Sequence, residues 1–150
     1  ELGAVQDDDT ANYSRNDLWM LFGGEGRRQA LAHFAHHIGT AGSAAYESSA
    51  VMRELSESYV EAGRWGERAP DFVVRAHRHR SIEIRIPSSH GEAFSLVTAA
   101  WQLKTPFTFK IPGGRVTQPQ IGGSVLRCGD MDIFTRHWVR SLSRPPVVTL

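Results

Sequence analysis

The hydrophobic period of the chain changes at Pro70 from helical to β, and that switch constrains the fold more than any other feature. Before it, Val51, Leu55, Tyr59 and Ala62 recur at i, i+4, i+8 and i+11, while Glu47, Glu54, Glu57 and Glu61 take much of the remaining surface. This is the spacing of an amphipathic helix. The Ser43 hydroxyl can accept an orphan backbone N–H of the first turn, and Gly63 or Gly66 can end the element, so a helix is predicted near 43–65. After Pro70 the pattern is β: Phe72–Arg75 reads as a short buried strand, and Ile82, Ile84 and Ile86 alternate with Glu83 and Arg85 as in a half-buried one. Strands are also expected at Phe94–Ala99, Phe107–Ile111, Ile121–Arg127 and Asp132–Val139, the last two around a turn near Gly129-Asp130. Upstream of the helix, Leu18–Phe22 and Ala30–Ala35 read as a hairpin. The predicted class is therefore α+β, with one strong helix, a mostly β stretch after residue 70 and about seven strands in layered sheets.

Composition bounds the rest. With 150 residues, 41% hydrophobic and 22% charged, the chain has the makings of one domain with a sizeable core, which excludes a collagen, a coiled-coil rod or a wholly disordered chain. Residues 1–15, with Asp7-Asp8-Asp9, read as an exposed lead-in. No apolar run reaches the roughly 18 residues of a membrane-spanning helix, so no membrane partner is expected. Glu1–Val5 shows neither a basic leader nor an initiator Met, which suggests that preceding residues were removed or belong to another chain. The single Cys128 can form no internal disulfide and suits a reducing cytoplasm. Charge is uneven: residues 1–71 carry 12 acids and 6 bases, and residues 72–150 carry 4 acids and 11 bases. The second half can thus attract phosphate-bearing ligands, although a genome bias towards arginine explains 15 Arg among 17 basic residues equally well.

Histidine placement carries the chemistry. His77 and His79 follow directly on the buried strand at i and i+2, and His36-His37 also closes a strand, so the two groups can meet at one rim of a sheet. In extended backbone, two rises of about 3.3 Å put His77 and His79 on one face roughly 6.6 Å apart. That is too far for easy chelation of one ion, and it suits one imidazole for each of two ions about 3.5–4 Å apart. Beside Arg75, Arg78 and Arg80 the same pair also reads as a solvated basic edge, and His36-His37 as one core and one exposed histidine. His33, His90 and His137 read as structural or surface residues. Imidazole donors do not choose among Mn, Fe, Zn and Ni.

Four stretches resemble calcineurin-like metallophosphoesterases of the bacteriophage and prophage type: His36–Glu47, Tyr59–Gly66, Pro70–Arg80 and Ala100–Phe107. The resemblance covers nearly the whole chain but matches only the C-terminal half of such an enzyme. It implies the C-terminal half of an αββα sandwich, with two divalent metal ions at the C-terminal ends of its strands. The family's lone metal-binding histidine matches His36, with His37 as the alternative, and its G-H-x-H motif matches Ala76-His77-Arg78-His79, with Ala in place of Gly. By that resemblance His77 joins His36 on one metal and His79 binds the other. The family's D-x-H, G-D-x-x-D and G-N-H-D/E motifs have no match, so the bridging carboxylate and the main catalytic histidine are expected from a missing N-terminal half.

The implied function is metal-dependent phosphoester hydrolysis, as a phosphatase, phosphodiesterase or nuclease in a bacterial or phage-infected cytoplasm, with a phosphoester substrate such as DNA or RNA. Arg78 and Arg80 are candidate phosphate binders, or simply solvated. The alternative is a catalytically inactive nucleic-acid-binding or phage-associated structural module. Strands that lack their partners in a half sandwich would leave an open edge, so self-association or an obligate partner is expected.

Overall fold

The computed structural model describes residues 6–13, 17–26, 28–39, 43–106, 110, 118–143 and 147–149. Seven strands and one long helix form among them: β1 (Asp17–Phe22), β2 (Ala30–Ala35), α1 (Glu47–Trp65), β3 (Phe72–Arg75), β4 (Ile82–Ser88), β5 (Gly91–Val97), β6 (Gln120–Cys128) and β7 (Ile133–Ser141). The class is α+β. The strand expected at Phe107–Ile111 lies outside the described residues apart from Lys110. No helix among the described residues is long and apolar enough to cross a membrane.

Five strands make one mixed sheet in the order β1-β2-β3-β5-β4. β1 and β2 form the expected hairpin, pairing antiparallel with Trp19 opposite His33 and Leu21 opposite Leu31. The chain then crosses over through α1, so β3 lies parallel to β2, and β5 is parallel to β3 in turn. This central position explains why all four side chains of Phe72–Arg75 are buried: a parallel interior strand is covered on both faces. β4 closes the far edge as an antiparallel partner of β5.

Alternation sorts the sheet into two faces. One face sends Ala30, Ala32, Phe72, Val74, Phe94 and Leu96 into a core completed by Ile133, with Phe22, Phe34, Leu126 and Cys128 packed against it. Three of its rings stack in series, Phe22 on Phe72 at 5.7 Å and Phe72 on Phe94 at 5.1 Å between centroids. The other face takes α1. Val51 packs with Val97 and Ile38, while Leu55 packs with Val73 and Ala93, and Ile82, Ile84 and Ile86 border these contacts.

The boundaries of α1 refine the sequence reading. Ser43 does not cap it through its hydroxyl; a 3-10 turn over Ala44–Tyr46 intervenes, its start marked by a Tyr46 N–H bond to the Ser43 carbonyl of 3.1 Å. Tyr46 then occupies the cap position with no side-chain hydrogen bond. At the far end Gly66 adopts a left-handed φ of 66° and donates its N–H to Ala62, the ending for which glycine is best suited.

β6 and β7 form a separate antiparallel ribbon over the first face. Gly122 is required there, because a Cβ at this position would stand 1.9 Å from the Trp138 carbonyl oxygen. A polar clasp joins the ribbon to β4. Glu83 accepts hydrogen bonds from Thr135 and from His137 Nε2 (2.7 Å), and His137 Nδ1 faces the Ser124 hydroxyl at 2.7 Å. Burial pushes the Glu83 carboxyl up, but hydrogen bonds from Thr135, Arg85 and His137 and the Arg85 charge outweigh it and hold it below its ordinary value.

Candidate metal centre

Because β2 and β3 are parallel neighbours, their carboxyl ends open on the same rim of the sheet. His36 follows the last residue of β2, and His77 comes two residues after the end of β3. The Ala76 N–H donates to the His36 carbonyl at 3.1 Å, carrying the pairing one step beyond the strands. Topology alone thus brings together side chains 41 positions apart.

Three imidazoles converge. One ring nitrogen from each of His36, His37 and His77 falls within a set whose members all lie within 4.8 Å of one another, and all three residues are exposed. His36 Nε2 stands 3.2 Å from His77 Nδ1, as an imidazole-to-imidazole hydrogen bond. The ring centroids lie 4.7 to 5.2 Å apart, with His36 edge-on to the other two.

The loop after β3 departs from the extended spacing expected for His77 and His79. Both have left-handed backbones, with φ of 72° and 56°. The Arg78 N–H donates to the Ala76 carbonyl at 2.9 Å, closing a three-residue turn around His77. For a side chain with a Cβ this conformation costs roughly 1–2 kcal/mol per residue. Neighbours hold it in place: the Gln120 N–H donates to the His79 carbonyl (2.8 Å), and the Gln120 side-chain oxygen accepts from the Ser81 N–H (2.7 Å). Ala76 itself has an ordinary negative φ, so alanine in place of the motif's glycine introduces no backbone strain.

The curl separates the two motif histidines. His77 turns into the cluster, and His79 is outside the three-imidazole set. The two candidates for the upstream position both belong to that set. The candidate phosphate binders also differ: Arg80 forms an ion pair with Glu47 at 3.4 Å, whereas Arg78 reaches the Gly39 carbonyl with one guanidinium nitrogen. Its other terminal nitrogen, Nη1, is buried with no hydrogen-bond partner among the described residues.

Arg75 is not part of a solvated basic edge. It is 5% exposed, and its Nε donates to Glu54 on α1 at 2.9 Å. Its terminal nitrogens reach the His33 and Val74 carbonyls and His33 Nδ1. The second Glu54 oxygen accepts from the Gly39 N–H at 3.4 Å, so one carboxylate anchors both β3 and the histidine-bearing loop to the helix. This support was hidden in the sequence, where Glu54 reads as one more surface acid of α1 and Arg75 as one more exposed base. His33 stacks on Trp19 at 4.1 Å and pairs with Asp17, a structural role as expected.

The electrostatics leave lone pairs free. Burial, then the charges of His37, His36, His79 and Arg78, lower the His77 pKa from its ordinary 6.5. His77 therefore remains neutral, and able to donate to a cation, at pH values where a free histidine begins to protonate. The nearby carboxylates Glu54 and Glu47 are committed to Arg75 and Arg80.

The His36–His77 pair fits a single divalent ion, with a His37 nitrogen within 4.8 Å of both. Two imidazoles on one tetrahedral zinc, each bonded at about 2.0–2.1 Å, place their nitrogens roughly 3.3 Å apart, close to the separation of His36 and His77. It does not complete a two-ion centre: among the described residues the cluster contains imidazoles only, with no carboxylate to bridge two dications. No family model, curated protein or solved structure matches the chain.

Proposed function

We propose that His36, His37 and His77 hold a divalent metal ion and that the protein serves metal-dependent hydrolysis of phosphoesters. The observation that carries this reading is the meeting of three exposed imidazoles at the carboxyl rim of two parallel strands, where α/β and mixed sheets commonly build their sites. Strained backbone at His77 and His79, held by Gln120 and Arg78, is the pattern expected where geometry serves a site rather than stability. A bound dication would supply charge neutralisation for a phosphoryl oxygen and a water of lowered pKa. The chain's own residues present three imidazoles, and the surroundings of His77 lower its pKa from the ordinary value. Arg78 has no carboxylate partner among the described residues and adds positive charge beside the cluster, whereas Arg80 is held by Glu47.

Carboxylates for a second ion would come from a complementary segment or partner chain. The part of the sheet not covered by α1, where Trp19 and Leu21 are exposed on β1, is a suitable seat for it. A second reading, binding without catalysis, is favoured by the imidazole-only donor set, since turnover by a dinuclear mechanism needs more than this cluster holds.

The test is hydrolysis of a bis-aryl phosphate with added Mn²⁺, by the chain together with its complementary segment. Turnover is expected to depend on the metal and to fall about 100-fold or more in His77→Ala and in His36→Ala. Full turnover in both variants would remove the proposal.

A further inference from the structure

The ribbon of β6 and β7 turns one face to the core and the other to solvent. Cross-strand pairing sets Val125 opposite Arg136, Arg127 opposite Phe134, and Ile121 opposite Arg140. The outward positions of β7 are Phe134, Arg136, Trp138 and Arg140, all exposed, and those of β6 include exposed Val125 and Arg127. No acidic residue occupies an outward position on either strand. Among the described residues no ion pair engages Arg127, Arg136 or Arg140, in contrast to Arg75, Arg80 and Arg85, each of which has a carboxylate partner.

Two features of this face need explanation together. Phe134 and Trp138 are large aromatics left 38% and 49% exposed, four residues apart on one strand and so about 14 Å apart. Each carries a guanidinium over its ring, Arg127 at 6.0 Å from Phe134 and Arg136 at 4.8 Å from Trp138. An aromatic in solvent forgoes burial, and the nearby guanidinium puts a positive charge beside each ring. Alternating ring and cation along an extended ribbon matches alternating base and phosphate along an unpaired strand. Rings accept any base face, and arginines neutralise the backbone.

We infer that the outward face of the β6–β7 ribbon binds a single-stranded polynucleotide, with Trp138 and Phe134 as stacking platforms and Arg127, Arg136 and Arg140 as phosphate contacts. Duplex is a poor match, because its bases are already stacked and offer no face to the rings. An acidic peptide would satisfy the arginines and leave the rings unused. The position of the ribbon adds weight. Gln120, the first residue of β6 and next to the partner of Arg140, donates to the His79 carbonyl at 2.8 Å, so the strand ends bearing Arg140 adjoin the histidine loop. As a binding surface this assignment needs no metal. Only its extension, that a polynucleotide is the phosphoester substrate of the proposed hydrolase, rests on that earlier reading.

Binding of a fluorescent oligothymidylate, followed by anisotropy in excess chelator, separates the two. The protein is expected to bind saturably at low salt, with affinity falling as salt rises. Trp138→Ala is expected to weaken binding by about 10-fold, with Phe134→Ala similar and Trp138→Phe restoring most of the loss. Arg136→Ala and Arg140→Ala are expected to weaken it and to lower the salt slope by about 0.7 each. Arg64→Ala, which removes a charge from the far end of α1, is expected to leave binding unchanged, and all these positions are exposed enough for the variants to fold. No saturable binding, equal affinity for a duplex of the same length, or binding indifferent to Trp138 and displaced equally by polyglutamate would each overturn the inference. Such a failure beside intact metal-dependent hydrolysis would strike this inference alone.

Discussion

The two ends of β3 are built on opposite principles. At its entrance stands Asp71, with a side chain 7% exposed and both carboxylate oxygens engaged. It takes the Leu31 N–H at 2.9 Å, Arg68 at 2.8 Å and Arg28 at 3.3 Å, and its backbone bonds Leu31 on one side and Phe94 on the other. At the exit, six and eight residues on, two histidines hold left-handed backbone, and three imidazoles crowd together in solvent with no carboxylate among them. A single strand pair thus has one end where charge is buried and matched, and another where strain and unmatched donors are kept exposed. The first arrangement is what stability asks for, and the second is what a binding site asks for.

Substitutions at the two ends should therefore move stability in opposite directions. Asp71→Ala removes the carboxylate partner of Arg28 and Arg68 and leaves the Leu31 N–H without its acceptor, and is expected to cost about 3 kcal/mol in denaturant unfolding. A loss below about 0.5 kcal/mol would mean that the entrance is not a structural lock. His77→Gly is expected to raise stability by about 1 kcal/mol, because glycine adopts a φ of 72° without the Cβ clash. The same change should abolish metal binding. A destabilised His77→Gly protein would show that the exit carries no strain to release.

The clasp on β4 provides a milder comparison, away from both ends. The folded pKa of Glu83 lies below its ordinary 4.5, so its contribution is fully present above that value and is lost as pH falls through the lowered one. Glu83→Gln is expected to flatten stability against pH in that acid range and to cost about 1 kcal/mol or less near neutrality. An unchanged acid profile would place the ribbon's attachment elsewhere.

Much of this architecture is legible in the residues. The spacing of Val51, Leu55, Tyr59 and Ala62 fixes α1, and the alternation of Ile82, Ile84 and Ile86 with Glu83 and Arg85 correctly separates the helix-facing side of β4 from the ribbon-facing side. What pattern cannot carry is partnership at a distance. Asp71 meets Arg28 from 43 positions away, and Arg75 meets Glu54 across the crossover helix. Local sequence presents each only as a polar residue next to an apolar run. The meeting of His36 with His77 follows once β2 and β3 are parallel, but the exclusion of His79 depends on two left-handed residues that no periodicity announces. The specific αββα sandwich and the two-ion site were implied by resemblance alone, and they remain proposals beyond the α+β class and the three-imidazole cluster.

Calorimetric titration of the metal-stripped chain with Zn²⁺ or Mn²⁺ tests the central claim most directly. The geometry predicts roughly one ion per chain, with binding lost in His36→Ala and His77→Ala, retained in His79→Ala, and weakening as pH falls and the imidazoles take up protons. Absence of saturable binding, or binding that survives His77→Ala undiminished, would contradict it.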